Sequence, residues 1–281
     1  MTKTLLSIGH GYSAQALATL LIADGWRIIG TTRSRDKFAV LEDQGVEPIQ
    51  WPGTPLPLKD ATHLLTSVAP KDDGDPVIRE AGEALKAATH LEWVGYLSTT
   101  GVYGDTGGDW VDETTPLSPS TARGQARMHA EAAWGALGLP LHIFRLAGIY
   151  GPGRGPFSKV RQGTARRIIK DGQVFSRIHV EDIAATVYAS IQSPNPGGIY
   201  NVCDDDPAPP QDVIAHAAEL LGLPVPPAVS FEEAEMSPMA RSFYADSKRV
   251  RNDRIKTELG VRLKYPDYKT GLAALLHAER N

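Results

Sequence analysis

Three groups of residues have types and spacing that could do chemistry. The first is GHGYSA, in which Gly9, Gly11 and Ala14 form a G-x-G-x-x-A pattern between an apolar run and a helical one. Gly9 permits a tight turn, Gly11 leaves room for a pyrophosphate against the backbone, and Ala14 lets helix and strand pack closely. The helix N-terminus, from Tyr12 and Ser13, adds free N–H groups and the positive end of a dipole. The second group is GTTRSRDK, where Thr32, Arg33 and Ser34 occupy the place of the acid that binds a ribose 2′-hydroxyl in an NAD site. The first acid there is Asp36. A guanidinium suits a 2′-phosphate by charge and by paired hydrogen bonds, so NADP is favoured over NAD. The alternative is that Arg33 and Arg35 are ordinary solvated charges. The third group is the hydroxyl run Ser98, Thr99 and Thr100 in LSTTGVYG. It falls at the C-terminal end of an expected strand, where open α/β sheets bind ligands.

A fourth feature is basic. Residues 151 to 177 hold Arg154, Lys159, Arg161, Arg166, Arg167, Lys170 and Arg177 against a single acid, Asp171. Such a cluster in an otherwise acidic chain fits a small anionic substrate, and it equally fits a solvated helix face. The triple acid at 204–206 reads as a solvated loop rather than a metal site, and Cys203 as a buried side chain.

The elements that must position these groups alternate between β and α patterns. Strands are expected over 4–9, 26–32, 46–51, 63–69, 93–99, 141–147 and 198–204. Helices are expected over 13–25, 76–89, 121–137, 179–191, 247–259 and 267–279. Such alternation implies parallel strands with helices on both faces, and right-handed crossovers make it a doubly wound Rossmann sheet. Residues 1–150 and 178–202 are assigned to this dinucleotide-binding part. Residues 151–177 and 203–281, rich in Gly, Pro and charge, are assigned to a smaller C-terminal lobe.

The bulk numbers narrow the class. The net charge is -4, which argues against a nucleic-acid binder. The chain has one cysteine, so neither a disulfide framework nor a cysteine zinc site is expected. The N-terminus has no signal-peptide layout and no apolar run approaches a membrane span, so a cytoplasmic location is expected.

Taken in order, GHGYSA, LSTTGVYG, VDETTPLSPS, FRLAGIYGPG, RIHVEDIA and LGVRLKYPDYKTGL make the chain resemble the extended short-chain dehydrogenase/reductase superfamily, the group of NAD(P)-dependent epimerases and dehydratases. The G-x-G-x-x-A form is similar to an atypical subgroup that includes the YeeZ-like proteins. The resemblance implies that Thr99 hydrogen-bonds the reacting oxygen. It implies cofactor contacts from Val68, Ala69, Ser98 and Gly148 beside the turn residues, and substrate contacts from Thr100, Arg123, Arg154 and Arg177. It also implies a Tyr and a Lys one helical turn apart, as general acid and ribose ligand. At those positions stand Arg123 and Arg127. Arg127 can still bind cofactor or substrate, but a guanidinium stays protonated and Arg123 cannot replace a phenol. Tyr103 is the leading substitute acid, with Tyr150, His129 and His179 as the others. Two functions stay open: an oxidoreductase or epimerase-like enzyme on a small anionic or nucleotide-linked substrate, and a non-catalytic NAD(P)-binding sensor or interaction protein. The small and apolar residues of EALKAAT and MHAEAAWGAL permit a homodimer.

Overall fold

A computed structural model describes residues 2–280. In chain order the elements are β1 (Thr4–Ile8), α1 (Tyr12–Ala23), β2 (Arg27–Thr32), α2 (Phe38–Asp43), β3 (Val46–Gln50), β4 (His63–Thr66), α3 (Pro76–Lys86) and β5 (Trp93–Thr99). Then follow β6 (Trp110–Val111), α4 (Ala122–Gly135), β7 (Leu141–Leu146), β8 (Gly148–Tyr150), α5 (Phe157–Arg161), β9 (Arg167–Ile169), β10 (Arg177–His179) and α6 (Val180–Gln192). The chain closes with β11 (Ile199–Val202), α7 (Pro210–Leu221), β12 (Ala228–Ser230), α8 (Pro238–Phe243), β13 (Arg249–Val250), α9 (Asp253–Thr257) and α10 (Tyr268–Arg280).

Seven strands form one parallel sheet in the order β11-β7-β5-β4-β1-β2-β3. The near-continuous apolar sequences of the central strands follow from burial on both faces; every residue of β1, β4 and β7 is buried, whereas the edge strand β3 is mostly half-exposed. On one face pack Ala14, Leu17, Ala18 and Leu21 of α1 with Ile183, Ala184, Val187 and Ile191 of α6. On the other pack Val77 and Leu85 of α3 with Ala130 and Trp134 of α4. Asp75 locks the second layer: its carboxylate caps α3 at Val77 N (2.8 Å) and accepts from the Trp134 indole at 3.1 Å. The chain runs outward from β1 through β2 and β3, then returns to β4 and runs the other way. The sheet therefore has its topological switch point between β1 and β4, where such sheets form a ligand crevice.

The whole sheet comes from residues 4–202. A separate core joins Tyr150, Phe157 and Val160 to Val213 and Ala217 of α7 and Leu272 and Leu276 of α10. The division between the two is not a clean cut, because Val250, Ile255 and Val261 return to the main core.

Beyond short unexpected elements such as α2, α5, α8 and β8, two stretches differ from the expected elements for a clear physical reason. The helix expected over 247–259 shrinks to Asp253–Thr257, because Arg249–Val250 pairs as a strand with Trp110–Val111. Val250 is buried between two arginines, so alternation outweighs helical patterning there. Conversely, the proline cluster before 210 opens a helix: Pro210 is its first residue and Gly222 ends it in the left-handed region (φ 65).

Candidate active site

The glycine turn sits at the switch point. Gly9 has φ 74, and a Cβ there would meet Val68 at 2.9 Å, so both conformation and packing demand glycine. Gly9 N–H donates to Thr31 Oγ1 at 2.8 Å, His10 N–H donates to Thr31 O at 2.9 Å, and Ser67 Oγ donates to Gly9 O. The turn is thus pinned from β2 and from the end of β4. Gly11 is different. A Cβ there would meet nothing nearer than Gly9 O at 3.7 Å, so the protein's own packing does not require glycine. Gly11 caps α1 without a side-chain hydrogen bond, and no acid lies in the helix's first turn. Open space over Gly11 and uncapped N–H groups at Tyr12, Ser13 and Ala14 fit a phosphate-bearing group.

At the end of β5, Thr99 Oγ1 accepts from Gly101 N–H at 3.1 Å and so sets the short 3-10 turn over Thr100–Tyr103. Its hydroxyl proton remains available to the cleft. α4 presses on this turn: a Cβ at Gly124 would lie 2.7 Å from Gly101 O. That contact carries Arg123 and Arg127 to the site. Arg127 Nη1 donates to Leu97 O at 2.8 Å and to Tyr96 OH at 3.0 Å. Arg123 is exposed and lies 4.7 Å over the Phe243 ring of α8.

Tyr103, expected as the substitute acid, does not reach the cleft. The 3-10 turn rolls it beneath the sheet end, where its hydroxyl donates to Asn201 Oδ1 at 2.7 Å and accepts from Arg145 Nη1 at 2.9 Å. Burial raises its pKa further from neutrality. Arg145 Nη2 in turn pairs with Glu131 Oε2 at 2.8 Å, and Ser98 Oγ donates to Glu131. Ser98, Glu131, Arg145, Tyr103 and Asn201 form one buried polar network that ties α4 to β5, β7 and β11. Asn201 is held there and not in the cleft. His129 is exposed, and His179 is buried as the cap of α6, its pKa lowered by burial, so it stays neutral. Tyr150 lines the cleft, but burial lifts its pKa far above the phenol range.

The cleft holds about 830 Å³ between the sheet edge and the C-terminal lobe. Gly9, Gly11, Tyr12, Ser13, Ser98, Thr99, Thr100, Arg123, Arg127, Gly148, Arg154 and Arg177 all line it. Thr32, Arg33, Ser34, Val68 and Ala69 do not; they lie at the ends of β2 and β4 beside the turn. Arg35 donates to Gln50 Oε1 at 2.9 Å, whereas the exposed Arg33 side chain makes no ion pair among the described residues. Of the basic segment only Arg154 and Arg177 reach the cleft: Arg161 pairs with Glu279 at 2.5 Å and Lys170 donates to Tyr244 O at 2.5 Å. Sequence reasoning missed Phe243, Asp246, Lys248, Tyr268 and Leu272, which the lobe folds back over the cleft. Among the described residues, no cluster of His, Cys, Asp or Glu is placed to hold a metal ion, and no helix is long and apolar enough to cross a membrane.

The cleft's electrostatics are one-sided. Lys248 pairs with Asp246 at 3.2 Å, the one carboxylate in the lining. Among the described residues, Arg123, Arg127, Arg154 and Arg177 make no ion pair. Each instead lies over an aromatic ring, 4.7 Å from Phe243, 5.5 Å from Tyr96, 5.7 Å from Tyr12 and 6.0 Å from Phe175 respectively.

Sheet order, glycine turn and cleft together define a Rossmann-type α/β protein with an open cleft at the switch point. Residues 78–203 match the model of the NAD dependent epimerase/dehydratase family. Protein YeeZ of Escherichia coli K12 is 30% identical over 283 positions, covering 94% of this chain and 97% of that protein. The chain belongs to the NAD dependent epimerase/dehydratase family. A functionally unknown conserved protein from Silicibacter pomeroyi is 60% identical, with a TM-score of 0.96 over 100% of both chains. The fold is shared with dTDP-glucose 4,6-dehydratase of Bacillus anthracis, solved with NAD, at 19% identity and a TM-score of 0.78 over 100% of this chain and 97% of that one.

Proposed function

We propose that the chain binds NADP(H) across the switch point and acts as an oxidoreductase or epimerase-like enzyme on a small anionic substrate. The observation that carries this reading is the set of four guanidinium groups, unpaired by any carboxylate, around one cleft beside the glycine turn. Gly9, Gly11, Tyr12, Ser13 and Ala14 would hold the pyrophosphate. Arg33, with Thr32 and Ser34, would meet the 2′-phosphate, while Val68 and Ala69 flank the adenosine end. Ser98, Arg127 and Gly148 would face the nicotinamide end. When bound, the dinucleotide supplies hydride exchange.

The chain's own residues then bind and orient. Thr99, fixed by its bond from Gly101, donates to the reacting oxygen. Thr100, Arg123, Arg154 and Arg177 draw the anion in. The family's phenol is absent from position 123: arginine does not release a proton near neutral pH, Tyr103 is turned away, and burial raises the pKa of the phenols that do line the cleft, Tyr12, Tyr150 and Tyr268. The proton therefore travels through water or the substrate's own acidic group at Thr99. The test is calorimetric titration with NADPH and NADH. NADPH is expected to bind in the micromolar range, and Arg33→Ala to weaken it roughly tenfold with little effect on NADH, the loss of one charge-assisted contact. Equal affinity for both cofactors, unchanged by Arg33→Ala, rejects the 2′-phosphate assignment; no binding of either rejects the function.

A further inference from the structure

Resting on that reading, we propose that the substrate is an organic carboxylate with a flat apolar body, held by Arg177 at the lobe end of the cleft, and not a nucleoside-diphosphate sugar. Arg177 opens β10 from within an apolar wall made by Val174, Phe175, Val213, Tyr268 and Leu272. Its Nη1 donates to Phe175 O at 2.8 Å and to Ala208 O at 2.9 Å. Two carbonyls thus fix the group's direction without neutralising it. Nε and Nη2 make no hydrogen bond to the described residues, and the side chain lines the cleft. That side-on edge is the fork that matches a carboxylate through two parallel bonds.

Arg177 has no ion-pair partner, although the more distant Asp204 and Asp206 attract its charge. No carboxylate among the described residues lies within 4.0 Å of it. Asp204, beside it, is 1% exposed, and burial pushes its carboxyl up to about 8, which keeps it neutral at pH 7. A cation held in an apolar wall without a partner costs stability unless a ligand brings the anion. The number of charges limits the ligand. On the wall around Phe175 and Tyr268, Lys248 is engaged by Asp246, so among the described residues Arg177 is the unpaired cation there. Arg123 and Arg127 belong to α4, and Arg154 to the loop over Tyr12. One fixed guanidinium framed by Phe175 and Tyr268 matches one carboxylate on a planar apolar body. A diphosphate carries more charge than this one guanidinium balances; it would have to reach Arg123 or Arg154 as well, and it would leave the rings facing polar groups.

The experiment uses the full chain with saturating NADP+, whose own titration is completed first. trans-Cinnamate, the neutral cinnamyl alcohol and UDP-glucose are then compared by calorimetry. Cinnamate is expected to bind at least about tenfold more tightly than the alcohol, roughly one charged hydrogen-bonded contact. Arg177→Gln is expected to erase that ratio while leaving NADP+ affinity unchanged. The ratio in the unaltered protein needs no variant, so it decides even if Arg177→Gln does not fold. Equal binding of acid and alcohol, no cinnamate binding, tighter binding of UDP-glucose, or a ratio that survives Arg177→Gln each overturns the proposal. Failure of NADP+ itself to bind instead rejects the cofactor reading.

Discussion

Replacing Asp204 with asparagine should stabilise the protein, and increasingly so as the pH rises. Asp204 follows β11, is 1% exposed, and has its carboxyl raised from 3.8 to about 8. Burial is the main cause, and it outweighs the opposing pull of the Arg177 charge and of the Asp206 N–H. The folded-state pKa lies above the unfolded one, so the sign is definite. Below about pH 4 the carboxyl is protonated in both states and its ionisation costs nothing. As the pH rises, the unfolded chain ionises first and the native state loses relative stability, until the pH passes about 8 and the loss levels off. From about pH 5 to pH 8 the shift corresponds to at most about 4 kcal/mol, at ~1.4 kcal/mol per pH unit. Relaxation and water entry around the buried group bring the expected gain to about 2 kcal/mol. Urea unfolding of the parent and of Asp204→Asn at both pH values measures it directly. A gain that does not grow between the two pH values refutes the reasoning. A loss that is larger at pH 8 would mean that Asp204 is ionised and paired with Arg177, and the unpaired cation of the lobe wall would go with it.

Two substitutions separate folding from binding at the turn and in the network. Gly11→Ala should leave the unfolding midpoint within about 1 kcal/mol of the parent, because the nearest atom to the added Cβ is 3.7 Å away, yet lower NADPH affinity by more than about tenfold. A coupled loss of stability would show that the glycine is structural. Tyr103→Phe removes the hydroxyl between Arg145 and Asn201 and should cost about 1–2 kcal/mol in denaturant melts, with cofactor binding unchanged. A change in NADPH affinity without a stability loss would return Tyr103 to the cleft.

The sheet was legible because its central strands bury both faces and read as apolar runs bounded by Gly or by a helical pattern. The glycine turn was legible for the same local reason: Gly9, Gly11 and Ala14 lie within six residues at a strand end. Tyr103 misled because its motif shows that it is near a strand end but not which way the 3-10 turn rolls it. Glu131 left a usable signal: it lies one helical turn beyond Arg127, on the same face as Arg123. The lobe residues left none. Phe243, Lys248 and Tyr268 are far along the chain from Thr99, and only the return of residues 249–263 to the main core brings them over the cleft. Arg249–Val250 was hidden by its own charges, since Arg249, Arg251 and Arg254 imitate an amphipathic helix until Val250 is seen to be buried.

The stripe Arg123, Arg127, Glu131 shows what arginine at position 123, where the family resemblance implies a tyrosine, does to the site. Exposure falls along it, from open Arg123 through partly buried Arg127 to buried Glu131. Glu131 anchors the helix to β7 through Arg145, and Arg127 anchors it to β5 through Leu97 O and Tyr96 OH. Neither anchor involves position 123, so the substitution there changes the chemistry of the cleft without loosening the helix that frames it. A phenol beside a permanent cation is a proton donor. A guanidinium in its place, stacked on Phe243, is a fixed positive charge at the mouth of a cleft already lined by three more. On the proposed function, the helix face that would serve proton transfer serves anion capture instead, and the proton comes from water or from an acid the substrate carries.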